Sequence, residues 1–129
     1  MSAWTPDELA RIAAAQELEI APVRRDGILR RPVPIWVVRA GDDLYVRAAY
    51  LEDSGWHRVV RASRRARVRA GGVDKDVTVE DAEDAVNEQV DAAYRSKYGR
   101  YASIVDSITD AAHRATTLRL VPGTETTTT

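Results

Sequence analysis

The stretch "LRRPVPIWVVRAGDDLYVRA", residues 29–48, decides how the rest of the chain must fold. Gly41-Asp42 suits a two-residue hairpin loop with glycine in its first, positive-φ position. Such a loop sets Ala40 against Asp43, Val38 against Tyr45 and Trp36 against Arg47 on one face. On the other face it sets Val37 against Val46 and Ile35 against Ala48. Both faces are then largely apolar. A strand of that kind belongs inside a sandwich, a barrel or a dimer interface, not on a sheet with one wet side.

Upstream, "TPDE" starts a helix, with Thr5 as N-cap, Pro6 at N1 and Glu8 at N3 completing a capping box. That helix runs to about Ala15 and buries Leu9, Ile12 and Ala13. "LEIAPV" then alternates as a half-buried strand, and Asp26-Gly27 is a hairpin signal leading into a second strand over 29–39. Downstream, "EDSGWHRVVR" reads as a short helix entering at Asp53 or Ser54, with Trp56, Val59 and Val60 on its apolar side. "ARVRAGGVDKDVTV" reads as two strands around Gly71-Gly72. Ala85, Val86, Val90, Ala93 and Tyr94 mark a long amphipathic helix near 80–97. Its first turn holds Glu80, Asp81, Glu83 and Asp84, its last holds Arg95 and Lys97, and Gly99 stands at C′. "YASIVDSITDAAH" reads as a loop with one or two helical turns, and "ATTLRLVP" as a closing strand. The Thr-rich tail, 123–129, has nothing to bury and is expected to be disordered. The order is that of an α+β protein, with six strands in a small antiparallel barrel and one domain over 1–122.

The chain has 129 residues, 44% of them apolar, which supports one domain with a core of its own. It has no cysteine, which excludes thiol catalysis, thiolate metal sites and disulfides. The start, "MSAWTPDELA", carries neither basic nor apolar signal regions, and no apolar run nears the roughly 20 residues of a membrane span. A cytoplasmic protein without membrane attachment is expected. Residues 1–70 hold 13 Arg against 9 acids, while 71–129 hold 6 cations against 11 acids.

Several chemistries can be set aside. His57 and His113 are far apart in sequence and Asp42-Asp43 point to opposite sides of an extended chain, so no metal is expected. No serine has a nucleophile-elbow context, and Gly71-Gly72 alone makes no phosphate loop. Arg58, Arg61, Arg64, Arg65, Arg67 and Arg69 could grip nucleic-acid phosphates, but no aromatics are interleaved with them. The acidic run after residue 80 is an obvious internal partner, so a paired or solvated face is favoured over nucleic acid. On the hairpin, Trp36 opposite Arg47 is either a cation–π pair of roughly 0.5–2 kcal/mol that stabilises the sheet, or one wall of a site for a flat anionic ring. The residues alone leave those readings even.

"DGILRRPVPIWVVRAGDDLYVRA", "GWHR" and "VRAGGVDKDVTVED" together resemble a family of uncharacterised bacterial proteins. That family is similar to the flavin- and deazaflavin-binding split-barrel superfamily, with its pyridoxamine-phosphate-oxidase-like and deazaflavin-dependent nitroreductase-like members. The resemblance implies a six-stranded split β-barrel, a homodimer, and FMN or a deazaflavin in a groove near the subunit interface. It implies phosphate or carboxylate contacts at Arg30 and Arg31, a wall including Pro34 and Trp36, a strand at Arg47 and Ala48 passing the ring, and a helix start at Trp56 to Arg58 beside the cofactor loop. One departure stands out. Where related proteins have a serine and a glycine-rich loop, this chain has Ala49 and Tyr50, then Glu52 and Asp53. Either Arg30, Arg31 and Arg58 alone hold the anion, or the usual cofactor is not bound. The leading expectation is an oxidoreductase that moves hydride between the ring and a small organic acceptor; no side chain stands out as a proton donor, and Tyr45 and Tyr50 are candidates only by their proximity to the hairpin. The alternative is a non-enzymatic module for another aromatic or anionic small ligand.

Overall fold

A computed structural model describes residues 3–49 and 55–123, and in it the stretch 29–48 is broken. The strand expected over 29–39 divides into β2 (Val33–Ile35) and β3 (Val38–Ala40), with Trp36 and Val37 in neither. The expected turn forms, Gly41 at φ +64, and sets Ala40 opposite Asp43 and Val38 opposite Tyr45 on β4 (Asp43–Val46). Pairing then stops, so Trp36 does not face Arg47. Beyond the corner, β2 pairs instead with β1 (Leu18–Pro22), Ile35 opposite Leu18 and Val33 opposite Ile20. Pro32 and Pro34 lack the N–H that a strand paired on both sides must supply, which confines β2 to an edge.

That corner closes the barrel. The sheet runs β2-β1-β5-β6-β7-β4-β3, with β5 at Arg65–Ala70, β6 at Val73–Asp81 and β7 at Leu118–Pro122. Its two edge strands are neighbours in sequence, and Ile35 and Val38 lie at most roughly 11 Å apart along the chain. The edges of a flat sheet of this width would be about 29 Å apart at the usual strand spacing. The sheet must therefore curl until its edges meet. The α+β antiparallel barrel is as expected, with seven strands in place of six because the second is broken at Trp36-Val37.

The interior is filled by Leu18, Ile20, Val37, Leu44, Val46, Val68 and Leu120, with helices sealing the ends. α1 (Pro6–Ala14) carries both arms of the expected capping box and buries Leu9 and Ile12, while the Trp4 indole N–H donates to the Leu120 carbonyl at 2.9 Å. α2 (Gly55–Ser63) contributes Trp56 and Val60. A second buried cluster lies outside the barrel wall. There Val38 and Tyr45 meet Val90, Tyr94 and Tyr98 of α3 (Asn87–Tyr98), and Val105 and Ile108 of α4 (Ala102–Ile108). The hairpin is thus buried on both faces, as its sequence requires.

Three local expectations are corrected. α3 begins at Asn87, after a 3₁₀ turn at Asp84–Val86, and not near residue 80. Glu80 and Asp81 continue β6, where cations outcompete a helix N-terminus for them: Glu80 binds Arg119 opposite it on β7, and Asp81 binds Arg64, directly after α2, at 3.1 Å. Gly99 ends α3 at φ −58, so it is not a left-handed cap. The segment after Gly99, expected as a loop with one or two helical turns, is more helical than that and forms α4 and α5 (Ala111–Arg114), because Val105, Ile108 and His113 have core to cover. The entry of α2 at Asp53 or Ser54 and tail residues 124–129 lie outside the described residues. Among those described, no helix is long and apolar enough to cross a membrane.

Candidate functional site

The barrel corner is also where the aromatic side chains gather. Trp36 stacks on Tyr98, with ring centroids 4.0 Å apart and planes 2° from parallel, and Tyr101 tilts against it at 5.6 Å. Backbone groups at the corner have no strand partner, and α3 supplies them. The Tyr98 hydroxyl accepts from the Val37 N–H at 3.3 Å and donates to the Gln16 carbonyl at 2.8 Å. The Lys97 ammonium donates to the Val37 carbonyl at 2.7 Å. Burial lowers the Lys97 pKa to about 8 and raises that of Tyr98 to about 12. Trp36 is therefore held on a fixed backbone and a fixed ring.

Beside it opens a cavity of about 260 Å³. Pro34 and Trp36 form one side, Trp56 of α2 another, and Ile104 and Ile108 of α4 a third. Arg47 and Ala49, just past β4, and the exposed Glu17 complete it. This is an apolar, aromatic slot with a carboxylate at its solvent side, the right chemistry for a flat ring.

Arg47 is the unusual member, a guanidinium only 1% exposed. Its Nε–H donates to Thr117 Oγ1 at 2.8 Å; Nη1 donates to Asp91 Oδ1 at 2.6 Å and the Ile108 carbonyl at 2.9 Å. Nη2 donates to Asn87 Oδ1 at 3.0 Å and, more weakly, to its carbonyl at 3.4 Å. All the N–H groups of a guanidinium are accounted for. Asp91, equally buried, is also bound by Arg114, and the Tyr94 ring lies 5.5 Å from the Arg47 guanidinium carbon. The cation–π partner of Arg47 is thus Tyr94 on α3, not Trp36, because the strand break carries Trp36 out of register. Arg47 forms a wall of the cavity and has no donor left for an external phosphate.

Cations with exposed faces lie next door. An open cleft of about 430 Å³ is lined by Ala48, Thr116, His57, Arg58, Arg61 and Arg64. Consecutive residues thus serve the two hollows: Arg47 and Ala48 at the strand end, Trp56 and His57 at the helix start. His57 donates its Nε2–H to the Thr116 carbonyl at 2.9 Å. Burial holds its pKa below the ordinary 6.5, against the opposing effect of that hydrogen bond, so the ring is neutral at neutral pH.

Of the residues expected at a site, Pro34, Trp36, Arg47 and Trp56 meet in the aromatic cavity, and Ala48 and Arg58 in the cationic cleft. Arg30 and Arg31 are exposed on the hairpin and line neither. Tyr45 packs under α3 and lines neither, while Tyr50, Glu52 and Asp53 lie outside the described residues. The remaining arginines are largely tied across the sheet, Arg67 to Asp74 and Asp76, both at 2.9 Å, and Arg69 to Glu19 at 3.1 Å. Asp91, Asn87 and Tyr98 were not anticipated, although with Tyr94 they recur at helical spacing on the buried stripe of α3. Among the described residues no three acidic or histidine side chains converge on a metal position.

Solved structures share this fold at low identity. An F420-H2 dependent reductase (FDR-A) superposes with a TM-score of 0.62 at 19% identity, covering 82% of this chain and 93% of the other. HutZ, the heme storage protein from Vibrio cholerae, gives 0.62 at 13% identity, covering 97% and 93%. A FAD-binding protein from Mesorhizobium loti gives 0.55 at 19% identity, covering 95% and 92%. The split-barrel fold is common to them, and the molecules their names mention differ, so the fold alone does not name a ligand. No curated protein matches the chain. Residues 8–120 match one family model, and the chain belongs to that family, described as "Uncharacterized protein conserved in bacteria (DUF2255)".

Proposed function

We propose that the protein binds a flavin or deazaflavin ring in the cavity between Trp36 and Trp56, and that a homodimer completes the site. The observation that carries this reading is the pre-formed slot itself. Its indole walls are fixed before any ligand arrives, Trp36 by its stack on Tyr98 and Trp56 by burial in the barrel end. Preorganised walls spare the ligand the ordering cost of binding. A volume of about 260 Å³ suits a ring system but not a whole mononucleotide. The spent donors of Arg47 and the carboxylate of Glu17 likewise favour a ring over a phosphate there.

When bound, such a ring supplies hydride chemistry toward a small organic acceptor. The chain's own part is orientation and electrostatics. Arg47, Asp91 and Arg114 together hold one net positive charge behind the cavity wall, which favours a ring that gains negative charge on reduction. Among the described lining residues only Glu17 can exchange a proton readily with solvent. That scarcity of acids favours a second reading, a binding module that holds an aromatic ligand without turning it over.

Titration with FMN and with a deazaflavin, followed by tryptophan fluorescence and ligand absorbance, tests the proposal. Saturable quenching that Trp36→Ala abolishes, in a variant that remains folded, is the expected result. A protein that ignores both ligands would sink the flavin reading. Binding without turnover across a panel of acceptors would select the non-enzymatic one.

A further inference from the structure

We infer that the cleft beside α2 is a separate subsite for a phosphate-class anion, with Arg58 and Arg61 as the cations that bind it and His57 as the group that takes up a proton when it does. The inference rests on this cleft and does not require a ring in the neighbouring cavity.

Charge is the first argument. Among the described residues, three guanidiniums line the cleft and one carboxylate, Asp81, answers them. Asp81 is committed chiefly to Arg64, accepting from both of its terminal nitrogens at 3.2 and 3.1 Å, and lies 3.7 Å from Arg61. Counted over the described residues, two positive charges are left over in a concave space. Shape is the second argument. Ala48, Ala62 and Thr116 leave room among the arginines, which a merely solvated basic face does not need. Backbone is the third. Arg64 is the non-glycine residue with a left-handed backbone among those described, φ +62, directly after α2. Glycine would relieve that cost of roughly 1–2 kcal/mol, so a long cation held there points to work for its side chain. By gripping Asp81 with both terminal nitrogens it leaves Arg61 only the longer contact to that carboxylate, at 3.7 Å, beside the cleft it lines.

His57 makes the site specific. Its Nε2–H is already given to Thr116, so the neutral ring keeps its lone pair on Nδ1. Among the described residues, the charged groups around it are Arg58, Arg61 and Arg64 from α2 and its end, and Asp81 from β6. An anion entering among these arginines offsets their repulsion of an imidazolium. His57 then binds a solvent proton and becomes a further donor, so anion binding and proton uptake are linked.

The test uses the whole chain and inorganic phosphate, with the His57 ring protons followed by NMR across a pH series. Phosphate should raise the His57 pKa saturably, and chloride at equal ionic strength should not. Arg61→Ala should weaken phosphate roughly tenfold or more, the loss of one charge-assisted hydrogen bond. Arg67→Ala, whose guanidinium is bound on the sheet to Asp74 and Asp76, should leave the affinity unchanged. Equal effects of phosphate and chloride, or equal losses in the two variants, would overturn the site. Comparing FMN with riboflavin identifies the anion's source. Tighter FMN that competes with phosphate means one ligand spans both hollows, and phosphate binding that is indifferent to either flavin means a second molecule uses the cleft. Failure of both flavins with phosphate still bound would remove the ring proposal and leave this one standing.

Discussion

Asp91 shows how much a single buried charge decides in this protein. It is the anion opposite Arg47, and removing it strands a guanidinium that is 1% exposed. Asp91→Ala is expected to cost about 3–5 kcal/mol, read as a lower urea midpoint with an unchanged m-value. Lys97 acts through pH. The folded protein sheds its proton near pH 8 while the unfolded chain keeps it to its ordinary 10.5, so stability should rise with pH across that window. Tyr94 and Tyr98 work the other way, since burial keeps them protonated past 10, where the unfolded chain ionises. A stability curve that climbs above pH 8 and turns over beyond 10, with the climb absent in Lys97→Met, is the expected outcome of denaturation measured over that range. At this scale the sequence was only partly legible. Arg47 was identified as a site residue, but its partner was set by a strand break that no pairwise register reveals.

Among the elements, the hairpins were the most legible, since their turns are written in local chemistry. Gly71-Gly72 is the clearest case. Both residues have positive φ, and a side chain on Gly71 would lie 2.4 Å from the Arg11 carbonyl at the end of α1. Gly71→Ala must therefore bear the left-handed cost, roughly 1–2 kcal/mol, and also push α1 away. A lower melting temperature with loss of Trp4 protection from quenchers would report both. Helix starts were less legible. Glu80 and Asp81 look the same in sequence whether they serve a helix N-terminus or pair with arginines beside a sheet, and only the register that sets Glu80 against Arg119 and the approach of Arg64 to Asp81 decide it. The second strand misled for a related reason: Pro32 and Pro34 announce an edge, yet the apolar run continues through Trp36 and Val37 because the corner itself is buried.

At the scale of the molecule, the class and the barrel followed from the order of helices and short strands, with a hairpin apolar on both faces narrowing the choice, whereas the division into two hollows did not. It arises because Arg47 and Ala48, and likewise Trp56 and His57, point to different sides of one wall, a relation that needs both elements in place. The same scale bears on assembly. Tyr101 and Ile104 beside the aromatic cavity are 38% and 42% exposed, a natural place for the proposed second copy. The native chain is expected to scatter light as a dimer and Ile104→Glu as a monomer; a native monomer would count against the homodimer.

The position of β7 has a consequence for how the protein is made. It sits between β6 and β4, pairing Val79 with Leu120 on one side and Leu44 with Leu120 on the other. It is also the last strand of the domain to leave the ribosome. Until it emerges, β2-β1-β5-β6 and the β3–β4 hairpin are separate fragments, each with an apolar face and an open edge. Until β7 is in place the domain therefore carries two sticky halves, and its sheet is continuous only once that strand has joined them.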